Sequence, residues 1–221
     1  MSKRKYLIEI LLVFSFLWLK GLLINNFPFR FDDNVIVVVS YAIDILLILF
    51  IVINIEKKFI SSIGIKSISF WDIFSGFVLG VVLYLVQILP PIIFMNMDIS
   101  QFVEAPRWMP LFFRFLFLVV TVGLGEELVF RGFLLQRLEW VFKYKLIAVF
   151  LNCFIFYIFH LTKAFVFVWT QVYSTFATTI IFCVYLYGSK KKSIFPVVIA
   201  HGMLDVLLGA PGFYFLNLVL R

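Results

Sequence analysis

Apolar runs of about twenty residues recur along the whole chain, separated by short charged or proline-containing breaks. A helix of that length crosses the hydrocarbon core of a bilayer, whereas a transmembrane barrel would show short strands of alternating polarity. The breaks delimit seven runs: 6–24, 35–55, 73–96, 111–135, 146–167, 168–187 and 194–210. The pattern predicts an all-α, polytopic transmembrane bundle of seven spans, or of eight if the tail at 211–220 also crosses.

Composition agrees with a membrane protein and leaves no room for a separate soluble domain. Hydrophobic residues make up 64% of the 221 residues and charged residues 14%, and the mean hydropathy is +1.10. Such values are typical of helical membrane proteins. We therefore expect a single membrane domain over residues 1–221.

Basic residues lie on alternate connections between the runs. One set of connections holds Lys3, Arg4, Lys5, Lys57, Lys58, Lys66, Arg137, Lys143, Lys145, Lys190, Lys191 and Lys192, and the other holds Arg30, Arg107 and Lys163. The positive-inside rule places the first set, and with it the N-terminus, in the cytoplasm. Topology thus explains the net charge of +7, and scattered basic residues on short loops do not indicate a nucleic-acid partner.

Ionisable residues inside the apolar runs are the exceptions that point to function. Each charged side chain near the middle of a membrane helix costs about 2.5 to 3.5 kcal/mol, so its presence indicates a partner or a role. Those that carry the argument are Asp44, Glu126, Glu127, Arg131, His160, His201 and Asp205, and they include both histidines of the chain. We predict that Asp44 serves helix association or pairs with Lys20, and that the other residues form a water-accessible site.

The first group of polar residues lies in the fourth run. Glu127 and Arg131 are four residues apart, so they share a helical face and are predicted to form an ion pair. Glu126 points about 100° away from that pair and is left to take up a proton. The alternative is a packing network of all three side chains.

The other two groups lie in the fifth and seventh runs. Asn152, Phe156 and His160 follow one another at intervals of four and share one face of a helix. His201 and Asp205 are also four apart, so imidazole and carboxylate project from the same side. A lone histidine is commonly a hydrogen-bonded core residue, and such a pair is also found in purely structural contacts. The occurrence of all three groups in one chain favours a functional site over separate structural contacts.

These motifs resemble those of the CAAX-protease and bacteriocin-processing intramembrane proteases, also called the Abi or type II CAAX prenyl endopeptidase family. The family pattern is Glu-Glu-x-x-x-Arg, then Phe-x-x-x-His, then His-x-x-x-Asn or Asp. The chain has, in that order, Glu126-Glu127 with Arg131, Phe156 with His160, and His201 with Asp205. The resemblance extends from Gly123 to Leu207 and implies an intramembrane endopeptidase with its catalytic core over about 111–210.

The resemblance also implies roles for these residues. Glu126 and His160 would activate the attacking water, and His201 and Asp205 would bind the oxyanion of the tetrahedral intermediate. The supporting positions would be Glu127, Arg131, Asn152 and Phe156. In the eukaryotic prenyl-protein peptidases the last motif usually ends in Asn, which donates a hydrogen bond, whereas Asp205 donates only when protonated. Asp205 is therefore protonated, a metal ligand, or a group that orients His201.

The cofactor stays open between none and one Zn²⁺. The family is commonly labelled metalloprotease, although a metal-free glutamate and histidine mechanism has also been argued. Two imidazoles and a carboxylate suit a catalytic zinc with an open water position. The possible ligands are Glu126, His160, His201 and Asp205. We favour the metal-free mechanism, because the chain has no His-Glu-x-x-His motif.

A different class of function also fits the polar residues. Buried Glu, His and Asp suit a proton relay or transporter, and an immunity protein that blocks a bacteriocin by binding needs no catalysis. The polar stripe of the sixth run, namely Gln171, Ser174, Thr175 and Thr178, is typical of interhelical hydrogen bonding. The absence of an inverted repeat argues against a secondary transporter. We therefore favour the protease.

Two weaker expectations concern substrate and packing. High Phe, Ile and Lys usage indicates an AT-rich bacterial genome, and hence a protein of the bacterial plasma membrane that acts on a membrane-associated peptide or protein, not on a prenylated one. Gly76 and Gly80 form a small-xxx-small pair in the third run, which predicts close helix packing.

Overall fold

A computed structural model describes residues 3–25, 32–95, 107–164, 169–209 and 212 of the chain. The described residues contain helices and no β-strand, which confirms the all-α prediction. The α-helices are α1 (Lys3–Asn25), α2 (Asp33–Phe50), α3 (Phe70–Met95), α4 (Trp108–Leu118), α5 (Leu124–Glu127), α6 (Leu135–Phe142), α7 (Lys145–Ala164), α8 (Trp169–Gly188) and α9 (Phe195–Leu207). Short π segments cover Ile51–Ile55, Val119–Gly123 and Leu128–Leu134, and a 3₁₀ turn covers Ile60–Ile63.

The described part of the chain has three helices that are long and apolar enough to cross a membrane. They are Lys3–Ile24, Asp33–Ile55 and Phe70–Phe94, and they correspond to the first three predicted spans. Shorter apolar helices at Lys145–Leu161, Val172–Gly188 and Phe195–Leu207 overlap the last three. The chain is an integral membrane protein. The total of seven or eight spans stays a prediction, and the tail at 211–220 lies outside the described residues apart from Gly212.

The fourth predicted span is not a uniform α-helix. From Trp108 to Phe142 the backbone alternates between α and π geometry without a break. A π turn holds one more residue than an α turn, and such turns are frequent at functional sites. Glu126 and Glu127 occupy the single α turn between two π segments.

The chain divides into two compact units. The first comprises Met1–Ile65 and Glu126–Ile194, and the second Lys66–Gly125 and Phe195–Arg221. The first unit therefore carries the first two motifs and the second unit carries the third. A single membrane domain with its catalytic core over about 111–210 stays a prediction.

In the first unit, Lys20 of α1 forms an ion pair with Asp44 of α2. Asp44 is buried, with 2% of its surface exposed, so the ammonium group offsets the cost of placing its carboxylate inside the protein. Lys20 also donates a hydrogen bond of 3.2 Å to the carbonyl oxygen of Ser40. The predicted pairing of Asp44 with Lys20 is confirmed.

A second buried pair joins Glu56, just after α2, to Arg137 of α6. The Arg137 guanidinium donates two hydrogen bonds to the Glu56 carboxylate, of which the Nε–Oε1 bond measures 3.1 Å. A third bond, of 3.3 Å, goes to the carbonyl oxygen of Phe133. Both side chains of the pair are fully buried. Neither charge has water as an alternative partner, so Arg137 depends on Glu56 for its counter-charge. Glu56 has a second, longer contact, since Nζ of Lys58 lies 3.5 Å from its Oε2.

Glu56 keeps only the contact with Lys58 when Arg137 is removed. We therefore expect Arg137→Met to lower the free energy of unfolding by about 3 kcal/mol, the lower end of the usual cost of breaking a buried pair. Equilibrium unfolding in mixed detergent micelles measures the change. The exposed Arg4 of α1 offers a matched control, and Arg4→Met should leave the unfolding free energy unchanged within about 0.5 kcal/mol. The double variant Glu56→Gln/Arg137→Met should regain part of the loss. A double variant less stable than Arg137→Met would contradict the pairing.

In the second unit, α3 packs closely against α9. A Cβ atom on Gly76 would lie 2.8 Å from Cβ of Ile199, and one on Gly80 would lie 2.7 Å from Cβ of Met203. Both distances are too short for a side chain larger than hydrogen, so the two glycines allow the backbones to approach. The predicted packing role of this pair is confirmed.

Candidate active site

Glu126 is held by a residue that lies outside all three motifs. The hydroxyl of Tyr41, on α2, donates a hydrogen bond to Oε1 of Glu126. Both side chains are buried, with 1% of Glu126 and 7% of Tyr41 exposed. The other carboxylate oxygen, Oε2, lies 3.7 Å from Nε2 of His160. Tyr41 and His160 thus contact different oxygens of the same carboxylate.

His160 is oriented by the backbone of its own helix. Its Nδ1 lies 3.0 Å from the carbonyl oxygen of Phe156, and because a carbonyl oxygen only accepts, this contact requires a hydrogen on Nδ1. In the neutral ring Nε2 then carries a lone pair, which faces the carboxylate of Glu126. Two acceptors at 3.7 Å do not bond to each other directly, and a contact of this length suits a bridging water that donates to both.

Glu127 and Arg131 form the ion pair predicted from their spacing. Nη1 of Arg131 lies 3.1 Å from Oε1 of Glu127, and both side chains are fully buried. Nη2 of Arg131 donates a hydrogen bond of 2.9 Å to Oγ1 of Thr179 on α8, and its guanidinium lies 4.3 Å from the ring centroid of Phe156. Arg131 is therefore engaged by Glu127, which leaves Glu126 to Tyr41 and His160.

The second motif faces the helical segment that carries Glu126. Asn152 donates a hydrogen bond of 2.8 Å to the carbonyl oxygen of Phe130, and so gives a buried carbonyl of the π segment a partner. The ring of Phe156 lies 4.6 Å from that of Phe130 and 4.5 Å from that of His160, centroid to centroid. The predicted common face of Asn152, Phe156 and His160 is confirmed.

The third motif lies on α9 in the second unit. Nε2 of His201 and Oδ1 of Asp205 are 3.9 Å apart, so the two side chains project from the same side of the helix, as predicted. His201 is buried, whereas the Asp205 side chain is 28% exposed. The convergence of His201 on Glu126 and His160 stays a prediction, since these residues belong to different units.

The residue after His201 fixes where α9 meets the rest of the second unit. A Cβ atom on Gly202 would lie 2.8 Å from the backbone nitrogen of Val119, in the first π segment. That space accommodates only a hydrogen, so glycine is required for the approach. The backbone at His201 therefore lies directly against Val119–Gly123.

Within the described residues, no group of three or more His, Cys, Asp and Glu side chains is placed to hold a metal ion. The ligand set considered from the sequence, which is Glu126, His160, His201 and Asp205, is divided between the two units. The choice between no cofactor and one Zn²⁺ therefore stays open.

Residues 107–207 match the family model described as type II CAAX prenyl endopeptidase Rce1-like. Over these residues the predicted resemblance to the CAAX-protease family is confirmed. The matched region contains all three motifs, and the match implies a protease, which is a hydrolase. No curated protein and no solved structure matches the chain significantly.

Sequence reasoning missed two polar contacts of the candidate site, those made by Tyr41 and Thr179. Each lies in an apolar helix that carries none of the three motifs. Tyr41 precedes Asp44 by three residues, which places both on one side of α2, and this was the available signal. The sequence separation of 85 residues between Tyr41 and Glu126 hides the contact from any local pattern.

Proposed function

We propose that this protein is an intramembrane endopeptidase in which Glu126 and His160 activate the attacking water. The observation that carries the proposal is the 3.7 Å approach of Glu126 Oε2 to His160 Nε2, with Nδ1 of His160 engaged by the Phe156 carbonyl. Two hydrogen-bond acceptors, Oε2 of Glu126 and Nε2 of His160, then face the proposed position of the water. The family match over residues 107–207 supports the reaction class.

The chemistry follows from these two acceptors. A water bound between them donates one hydrogen to each, at the usual distance of about 2.8 Å. As the water oxygen attacks the scissile carbonyl carbon, its proton moves to Glu126 and the carbonyl π electrons move onto oxygen as the oxyanion. The carbon–nitrogen bond then breaks, and the leaving nitrogen takes the proton from Glu126. Each group returns to its starting state.

For His201 and Asp205 we propose the second role in this reaction, stabilisation of the oxyanion. A neutral imidazole donates through one nitrogen, and Asp205 donates in its protonated form. The third family motif supports this assignment, as does their placement on one side of α9 at 3.9 Å. Donors aimed at a developing oxyanion typically contribute a factor of about 10² to 10³ each.

The proposed substrate is a membrane-associated peptide or protein that reaches the site from the cytoplasmic half or laterally through the bilayer. The positive-inside rule supports a cytoplasmic N-terminus and a cytoplasmic loop at 190–192. Glu126 lies late in a span that runs towards the cytoplasm, and His201 lies about two turns into a span that starts from the cytoplasmic loop at 190–192. Both residues would then lie in the cytoplasmic half of the membrane. We place the protein in a bacterial plasma membrane.

Cleavage of a membrane-peptide library by the protein in liposomes tests the proposal, with products identified by mass spectrometry. We expect products from the wild type and none from Glu126→Ala or His160→Ala. Glu139 on α6 provides the matched control, because it is a glutamate of the same helical run outside the motifs. Cleavage that survives Glu126→Ala would overturn the proposal. Wild-type liposomes that pass protons without cleaving peptides would favour a proton relay.

A further inference from the structure

Tyr41 contributes to the Glu126 site from a helix that the family match does not include. The match begins at residue 107, whereas Tyr41 lies in α2 and its hydroxyl bonds Oε1 of Glu126. No motif and no comparison gives this residue a role.

Tyr41 is itself contacted by Lys20 of α1. The Lys20 ammonium lies 5.8 Å from the centroid of the Tyr41 ring, close enough for a cation–π contact. The same ammonium is paired with Asp44, less than one turn further along α2, and bonds the carbonyl of Ser40. Pairing of α1 with α2 therefore positions the Tyr41 hydroxyl before any substrate is bound.

A carboxylate without a fixed donor can rotate about its last side-chain bond and exchange its two oxygens. A general base must lie within hydrogen-bond reach of the proton that it removes. With the Tyr41 hydroxyl on Oε1, Oε2 is the oxygen that faces His160 at 3.7 Å. The contact thus selects one oxygen for proton transfer and keeps it beside the imidazole.

We propose that Tyr41 is a positioning residue that orients the Glu126 carboxylate for water activation. The inference rests on the proposed function and extends the working site beyond the three motifs to α2. Tyr41 acts through Glu126 and needs no contact with the substrate. Its removal should therefore change kcat and leave KM unaltered.

The first test is Tyr41→Phe, which deletes one oxygen atom and keeps the ring. We expect kcat to fall by roughly 10- to 100-fold, the range for a hydrogen bond to a charged group, with KM for the same peptide unchanged. Tyr84 of α3 provides the control, because it is buried and its hydroxyl has no hydrogen-bond partner among the described residues. Equal kcat in Tyr41→Phe and Tyr84→Phe would overturn the inference, as would a rise in KM together with a lower Tm.

A second measurement reports the contact without any activity. In protein labelled with 3-fluorotyrosine, the ¹⁹F resonance of position 41 is identified by its loss in Tyr41→Phe. We expect Glu126→Ala to shift this resonance and Glu139→Ala to leave it in place. An unshifted resonance would overturn the contact. If Glu126→Ala shifts the resonance but the wild type cleaves no peptide, the hydrogen bond is supported. The proposed function and the role of Tyr41 in catalysis would then both be wrong.

Discussion

Replacing Glu126 by glutamine is expected to lower kcat by a factor of about 10² to 10⁴, the usual contribution of a positioned general base. Glutamine has nearly the same shape, and its carbonyl oxygen still accepts a hydrogen bond from the Tyr41 hydroxyl. It has no basic oxygen with which to take a proton from water. The loss therefore reports proton transfer rather than packing, and a cleavage assay at saturating peptide measures it.

Glu127→Gln separates this effect from a general need for charge in the helix. Glu127 is the adjacent residue, equally buried, and its carboxylate is paired with Arg131. Its replacement should reduce the stability of the protein, because Arg131 then lacks its counter-charge, while folded molecules keep the water-activating pair. If folded Glu126→Gln retained wild-type kcat, Glu126 would not be the base.

For Asp205 we expect opposite outcomes from two substitutions. If it donates to the oxyanion, Asp205→Asn keeps a donor of similar shape and retains activity, whereas Asp205→Ala lowers kcat by about 10² to 10³. If Asp205 binds a metal instead, both variants lose metal and activity, since an amide is a poorer ligand than a carboxylate. We expect the first outcome.

Turnover and bound zinc, measured in the wild type and both Asp205 variants, decide between these mechanisms. Stoichiometric zinc in the wild type that disappears in Asp205→Asn together with activity would contradict our expectation. Activity in Asp205→Asn without zinc would support it. The Asn variant is informative because the family pattern accepts either residue at this position.

The contacts that the sequence could predict are those encoded within one helix or by simple charge pairing. Glu127 and Arg131 are four residues apart, and so their ion pair follows from helical geometry alone. The pairing of Asp44 with Lys20 followed from the cost of an isolated charge in an apolar span. Length and hydropathy predicted the all-α class and the first three spans, because a helix that crosses the bilayer core needs about twenty apolar residues.

The contacts that escaped prediction depend on how one helix lies beside another. Tyr41 and Glu126 are 85 residues apart in sequence, and Glu56 and Arg137 are 81 apart. Hydrophobic periodicity indicates which face of a helix is buried, but it does not specify the axial offset between two helices. The π segments also escaped, because the residues in them have no composition that distinguishes them from α-helix.

The π segment Leu128–Leu134 makes the geometry of the site depend on chain length as well as on residue type. It separates Glu126, bound by Tyr41, from Arg137, bound by Glu56. Loss of one residue from this segment could restore an α turn with Arg137 in nearly the same phase relative to Glu126, whereas closing the segment into an α-helix with all its residues kept would rotate Arg137 by about 100°. An alanine scan would not detect this role, because each substitution preserves the number of residues. Relatives with identical motifs but a one-residue gap here would therefore be expected to have an α turn at this place and the same phase of their polar side chains.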